Sequence, residues 1–162
     1  MNAALRGLCG AVLAVVSCSA AAAQSAKDSP VRVEGAVTTA QSWTLAELRA
    51  LPSETVSIAQ RTDKGLLKAS FTGVLLWALV DKAGLVNGPQ KNAFLRHVIV
   101  VSAGDGYTVA LSEGEIDPKL EGKAVLIAYA RDGKPLDSAR LVVPGDHQAA
   151  RSVHGVTAIE IK

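Results

Sequence analysis

The chain is poor in sulfur. Its two cysteines, Cys9 and Cys18, both precede residue 20, and Met1 is its one methionine. Past residue 18 there is no thiol, which excludes disulfides, a cysteine nucleophile and a thiolate metal ligand from that part of the chain. Aromatic residues are scarce, with two each of Trp, Tyr and Phe, so a core must be built mainly from Val, Ile, Leu and Ala. Neither sign of charge dominates. Lys and Arg number 17 against 15 Asp and Glu, and this near balance argues against nucleic acid as a general partner. No apolar run reaches the roughly 20 residues a membrane-spanning helix needs. A Gly-x-Ser-x-Gly nucleophile elbow is absent.

What is present begins with an export pattern. Arg6 supplies a positive start, Gly7 to Val16 a short apolar stretch, and Ala21-Ala22-Ala23 a small-residue cleavage motif before Gln24. Residues 1–23 therefore read as a Sec-type signal peptide and 24–30 as a polar linker, which places the protein in the periplasm or outside the cell. Val15-Val16-Ser17-Cys18 also resembles a lipoprotein box, in which Cys18 would become a lipid anchor. No second arginine accompanies Arg6, so the twin-arginine pattern is absent. Removing residues 1–23 leaves 139 residues, a net charge of about +1 and no expected transmembrane segment. That length suits one domain, over residues 31–162, stabilised by packing alone.

The pattern of elements predicts an α+β fold with a largely antiparallel sheet and a few short helices. Residues 31–37 alternate as a half-buried strand should. Thr44 and Glu47 form a capping box that starts a helix ending at Pro52. Residues 54–60 and 66–71 read as strands joined by a turn at Thr62-Asp63-Lys64-Gly65. Thr72 is expected to cap a mostly buried helix from Gly73 to Ala83, stopped by Gly84. Val98 to Val101 is continuous and β-branched, as in a strand covered on both faces. Further strands are expected at 107–111, 124–130, 141–143 and 156–161. Ser112 with Glu115 marks a second capping box, and Arg131-Asp132-Gly133-Lys134 a hairpin turn.

Three stretches carry a family resemblance. They are Phe71-Thr72-Gly73-Val74-Leu75-Leu76-Trp77-Ala78-Leu79; Asp105-Gly106-Tyr107 followed by the run from Leu126 through Asp132-Gly133-Lys134-Pro135-Leu136; and Arg140-Leu141-Val142-Val143-Pro144-Gly145-Asp146 with Arg151-Ser152-Val153. In this order and spacing they resemble the molybdopterin-binding domain of the sulfite oxidase family, over most of residues 31–162. The resemblance implies layered α+β structure around a pterin, with molybdopterin as the cofactor. It implies that Arg140, Pro144, Gly145, Arg151, Ser152 and His154 hold the pterin and its phosphate, and that Tyr107 lies beside the substrate pocket. His154 stands where the family usually has Lys, and Gly155 where it often has Trp. Catalysis in the family uses a cysteine on the metal. The corresponding segment, residues 54–73, has none, so no metal is expected.

The residue chemistry alone supports a weaker version of that site. A glycine after Pro144 lets backbone N–H groups converge on an anion. Arg151 offers a planar fork for phosphate, Ser152 a hydroxyl and His154 a switchable donor. Arg140 and Arg151 are equally compatible with surface pairing to Asp137 or Asp146. Asp146, His147 and Ser152 are the residue types of a hydrolytic triad, but their closeness in sequence does not suit one. The spacing of His97, His147 and His154 matches no zinc pattern, and His97 suits a structural role. Trp43 and Trp77 suit the core. The expected activity is binding of a pterin-like or other small anionic ligand without metal-centred catalysis. The alternative is a molybdopterin-dependent oxidoreductase without a cysteine ligand, working with a redox partner protein.

Overall fold

The computed structural model describes residues 29–162. The signal peptide, the lipoprotein box and most of the linker lie outside the described residues. Nine strands and three helices follow in order: β1 Val31–Gly35, β2 Gln41–Trp43, α1 Leu45–Ala50, β3 Glu54–Thr62, β4 Gly65–Leu75, α2 Leu76–Ala83, β5 Val98–Ala103, β6 Thr108–Ser112, α3 Glu113–Ile116, β7 Leu126–Arg131, β8 Lys134–Val142 and β9 Val156–Ile161. Short 3-10 turns occupy Ala93–Arg96 and Ala149–Arg151.

The strands form two sheets. One has the order β2-β1-β9-β5-β6 and the other β3-β4-β7-β8. Every pairing is antiparallel except β1 with β9. The main core lies between the sheets and under α2. It joins Val33, Ile99 and Ile159 of the first sheet to Val74, Ile127 and Leu141 of the second, with Leu76, Leu79 and Val80 of α2. A smaller cluster of Ile58, Phe71, Leu126, Ala128 and Val142 occupies the other face of the four-stranded sheet. Successive residues point to opposite faces, which is why Leu141 and Val142 join different clusters.

The four-stranded sheet is curled. The Gln60 side-chain amide donates to the Val143 carbonyl at 2.9 Å, and Arg61 N–H donates to the His147 carbonyl at 2.9 Å. Both bonds tie β3, one edge strand, to the segment that leaves β8, the other edge. The β7–β8 hairpin turns on Asp132 (φ 49°) and Gly133 (φ 74°), the left-handed pair that a tight two-residue turn requires.

Several local expectations hold. Thr44 N–H donates to Glu47 Oε2 at 2.7 Å and Glu47 N–H to Thr44 Oγ1 at 3.3 Å. Ser112 N–H donates to Glu115 Oε2 at 3.1 Å. Gly84 closes α2 at φ 74°. Others need correction. Thr72 does not cap a helix. It sits inside β4 and its hydroxyl pairs with that of Thr55 at 2.8 Å, while α2 starts four residues later than Thr72. Gly73 serves the sheet: β4 bulges between Thr72 and Gly73, and a Cβ on Gly73 would collide with the Ile127 carbonyl oxygen. β5 is central but only one face is well covered, since Val98 is 41 % exposed. β8 begins at Lys134, seven residues earlier than the expected strand at 141. No helix among the described residues is long and apolar enough to cross a membrane.

Candidate anion-binding site

Arg140 is the chemically unusual residue of the fold. It stands on β8 opposite Ala128, on the same face as Val142, and is 6 % exposed. Its Nε and Nη2 donate to Ser152 Oγ at 3.1 and 2.9 Å, and that hydroxyl donates onward to the Leu141 carbonyl at 3.2 Å. The guanidinium lies 4.9 Å from the centroid of the Phe71 ring, with the Arg131 guanidinium 5.9 Å from the same ring. Both are attractive cation–π contacts. Among the described residues no carboxylate forms an ion pair with Arg140. Burial, and then the charge of Arg131, push its pKa down, although a guanidinium stays charged. A buried cation without a counter-ion is costly, and a bound anion would offset that cost.

His154 forms an isolated antiparallel bridge with Arg140. Burial first, then Arg140 and Arg131, hold the imidazole below its ordinary 6.5. A cleft of about 460 Å³ opens here, lined by Arg140, His154, Arg131, Lys64 and Leu67. One carboxylate, Asp63, shares its wall. The β3–β4 turn carries Lys64 and the β7–β8 hairpin carries Arg131, so two hairpin tips bring cations to a guanidinium held from below.

The expected site residues divide. Arg140, Ser152 and His154 come together. Arg151 belongs to a different network: Nε and Nη2 grip both oxygens of Asp146 at 2.9 and 2.6 Å, and Nη1 donates to Glu115 at 3.0 Å. These bonds, led by the one to Asp146, raise its pKa. Of the two pairings considered for it, Asp146 is its partner. Pro144 and Gly145 make the turn that delivers Asp146. Gly145 adopts φ 87°, with nothing within 4 Å of where a Cβ would stand, so its backbone conformation rather than close approach calls for glycine. Tyr107 is half exposed. Its hydroxyl donates to the Ala150 carbonyl at 2.7 Å, at the edge of an adjoining cleft of about 440 Å³ that Arg61, Gln148 and Ala150 line. Thr62 and Asp63 line both clefts.

No hydrolytic triad forms, because Ser152 is held by Arg140 and Asp146 by Arg151. His97 is buried against Glu113, Nδ1 to Oε2 2.7 Å, as a structural histidine. Trp43 is buried in the main core and Trp77 packs against it.

The sequence reading passed over four residues here: Lys64, Arg131, Phe71 and Gln60. Gln60 carried a signal. It follows Val56 and Ile58 on the inward face of β3, where a third apolar residue is expected. It is 1 % exposed, and its Oε1 is the one buried side-chain polar atom among the described residues without a partner. Such an atom costs about 1–3 kcal/mol until a donor reaches it.

Comparisons place this geometry in context. Among solved structures, the sulfane dehydrogenase SoxCD from Paracoccus pantotrophus superimposes with a TM-score of 0.66 at 20 % identity, over 85 % of this chain and 39 % of that one. This chain thus spans well under half of that relative. At this identity the likeness establishes the fold: mixed, mostly antiparallel sheets with few short helices. No curated protein sequence matches the chain. The profile of one family, described as the oxidoreductase molybdopterin binding domain, matches residues 19–162. With that match across nearly the whole chain, over the fold just described, the protein belongs to the oxidoreductase molybdopterin-binding domain family.

Proposed function

We propose that the chain is an exported member of this family that binds a pterin-like or other small anionic ligand in the Arg140 cleft, without metal-centred catalysis. The observation that carries this reading is Arg140 itself, a buried guanidinium with no ion pair among the described residues, on a cleft that also holds Lys64, Arg131 and His154. Ser152 and Phe71 offset part of the cost of burying that charge, and an anion bound in the cleft would offset more.

The donor set fits the organic part of molybdopterin. Arg140, with Lys64, Arg131 and His154, would hold its phosphate. The donor set does not fit the family's thiolate, since residues 19–162 contain no cysteine. The chain's own residues have separate tasks. Ser152 fixes the Arg140 fork. His154 takes up a proton as an anion arrives and becomes a further cation. Arg151 braces the loop that carries Ser152, by joining Asp146 to Glu115. Tyr107 guards the adjoining cleft, where a substrate would approach. Residues 1–23 direct the chain to the periplasm or beyond, and lipidation at Cys18 is the competing processing outcome.

The family match favours a second reading, a molybdopterin-dependent oxidoreductase that works beside a redox partner without a cysteine ligand. Protein purified from its native periplasm decides between them. Molybdenum is measured by elemental analysis and released pterin by fluorescence. The proposal expects molybdenum far below one per chain; near-stoichiometric metal would establish the second reading instead.

A further inference from the structure

A further cleft, of about 320 Å³, shares no wall residue with the Arg140 cleft. Its walls come from α2, α3 and the Ala93–Arg96 turn. α2 contributes Trp77 and Asp81, one helical turn apart, and the turn contributes Phe94. Glu113 opens α3, and Asp117 caps its end. Three carboxylates and two aromatic rings thus line one space, against one ammonium, that of Lys119.

Two of these carboxylates are buried with an oxygen to spare. Glu113 is 2 % and Asp117 5 % exposed. Glu113 Oε2 meets His97 Nδ1 at 2.7 Å, and Asp117 Oδ1 accepts the Lys119 backbone N–H at 2.8 Å. Glu113 Oε1 and Asp117 Oδ2 accept from no group among the described residues. Neither is sealed off as Gln60 Oε1 is, and both residues line the cleft. Among the described residues Asp81 and Asp117 form no ion pair, and the exposed Lys119 pairs with none of the three carboxylates. Burial pushes the Glu113 carboxyl up, His97 pulls it back, and the charge of Asp117 pushes it up again. Two acids held this way are costly without a cation between them.

The walls select the kind of cation. Among the described residues no set of three His, Asp or Glu side chains is placed to hold a metal ion. Tryptophan and phenylalanine faces attract ammonium and guanidinium groups, and carboxylate oxygens take their N–H donors. The volume suits a small molecule rather than a bare ion. We propose that this cleft binds a small organic cation, an alkylguanidinium or alkylammonium, with its charged head on Glu113 and Asp117 and its carbon chain against Trp77 and Phe94. The site is independent of the anion-binding cleft and opposite to it in charge.

Titration with n-butylguanidinium and n-butylammonium tests this, read by calorimetry and by tryptophan fluorescence. Trp77 lines the cleft while Trp43 is buried in the core, so a ligand there should change the emission saturably. At least one of the two cations should bind, and n-butylurea, the neutral counterpart of the guanidinium, should bind about tenfold more weakly or not at all. Calcium chloride at equal ionic strength should not displace the cation. Asp117→Asn keeps an oxygen for the Lys119 N–H, so it should lose about tenfold in affinity with its urea midpoint unchanged. Lys119→Ala should bind at least as tightly as wild type. Equal binding of n-butylurea would reduce the cleft to an apolar slot, and displacement by calcium would make it an ion site; either overturns the proposal. Binding that appears only in Lys119→Ala would show that Lys119 is the cleft's own cation, and overturn it too. So would unchanged affinity in Asp117→Asn, or no response to either cation in any of these proteins. None of these results bears on the Arg140 cleft.

Discussion

Replacing Arg151 by Ala distinguishes a structural brace from a ligand-binding arginine. Its guanidinium spends all three nitrogens on two carboxylates, at 2.9 and 2.6 Å to Asp146 and 3.0 Å to Glu115. The side chains of Arg151, Asp146 and Glu115 are 30, 18 and 22 % exposed. Fully exposed pairs contribute about 0–1 kcal/mol, and breaking a buried one costs about 3–5. This half-buried, bidentate case falls between, and Lys123 at 3.3 Å remains to partner Glu115. The expected loss is about 2 kcal/mol by urea unfolding. A double-mutant cycle with Asp146→Ala should return a coupling of about 1–2 kcal/mol. The pH dependence has a definite sign. Burial works to raise the Glu115 pKa, but hydrogen bonds from Arg151, Ser112 and Lys123 outweigh it and hold the group below its ordinary 4.5. Its contribution is therefore present above about pH 4.5 and lost as pH falls further, so the gap between wild type and variant should narrow in acid. A change within about 0.5 kcal/mol, accompanied by weakened phosphate binding, would refute the brace and return Arg151 to the anion site.

Two further substitutions probe the scaffold. Gly73→Ala would drive a Cβ into the Ile127 carbonyl at the β4 bulge and should cost more than about 2 kcal/mol in denaturant unfolding, as forced overpacking does. His97→Ala strands Glu113, which is 2 % exposed and whose carboxyl burial already pushes up. It should cost about 3 kcal/mol, and adding Glu113→Gln should restore part of it; an unchanged urea midpoint in His97→Ala would contradict the pairing.

Local signals were legible and distant ones were not. The Thr44–Glu47 capping box and the Asp132-Gly133 turn depend on a few consecutive residues, and both stand where the sequence put them. The start of β8 was hidden by Pro135, which looks like a strand breaker but is tolerated on an edge strand. Gly73 resembled the first residue of a helix, because the demand on it comes from Ile127, more than fifty residues away. Arg140 and Arg151 are alike in sequence. What separates them is long-range: Phe71 and Ser152 enclose one, while Glu115 and the Pro144-Gly145 turn supply carboxylates to the other.

The most direct test of the account is to follow the three histidines by NMR through pH titrations with and without inorganic phosphate. Burial and the neighbouring arginines hold His154 below 6.5, and an anion at Arg140 would cancel part of that push. Phosphate should therefore raise the His154 pKa in a saturable way, with affinity increasing as pH falls through it, while His147 and the buried His97 keep their resonances. No response at His154, or an equal response at His147, would contradict the claim that Arg140 anchors an anion-binding cleft.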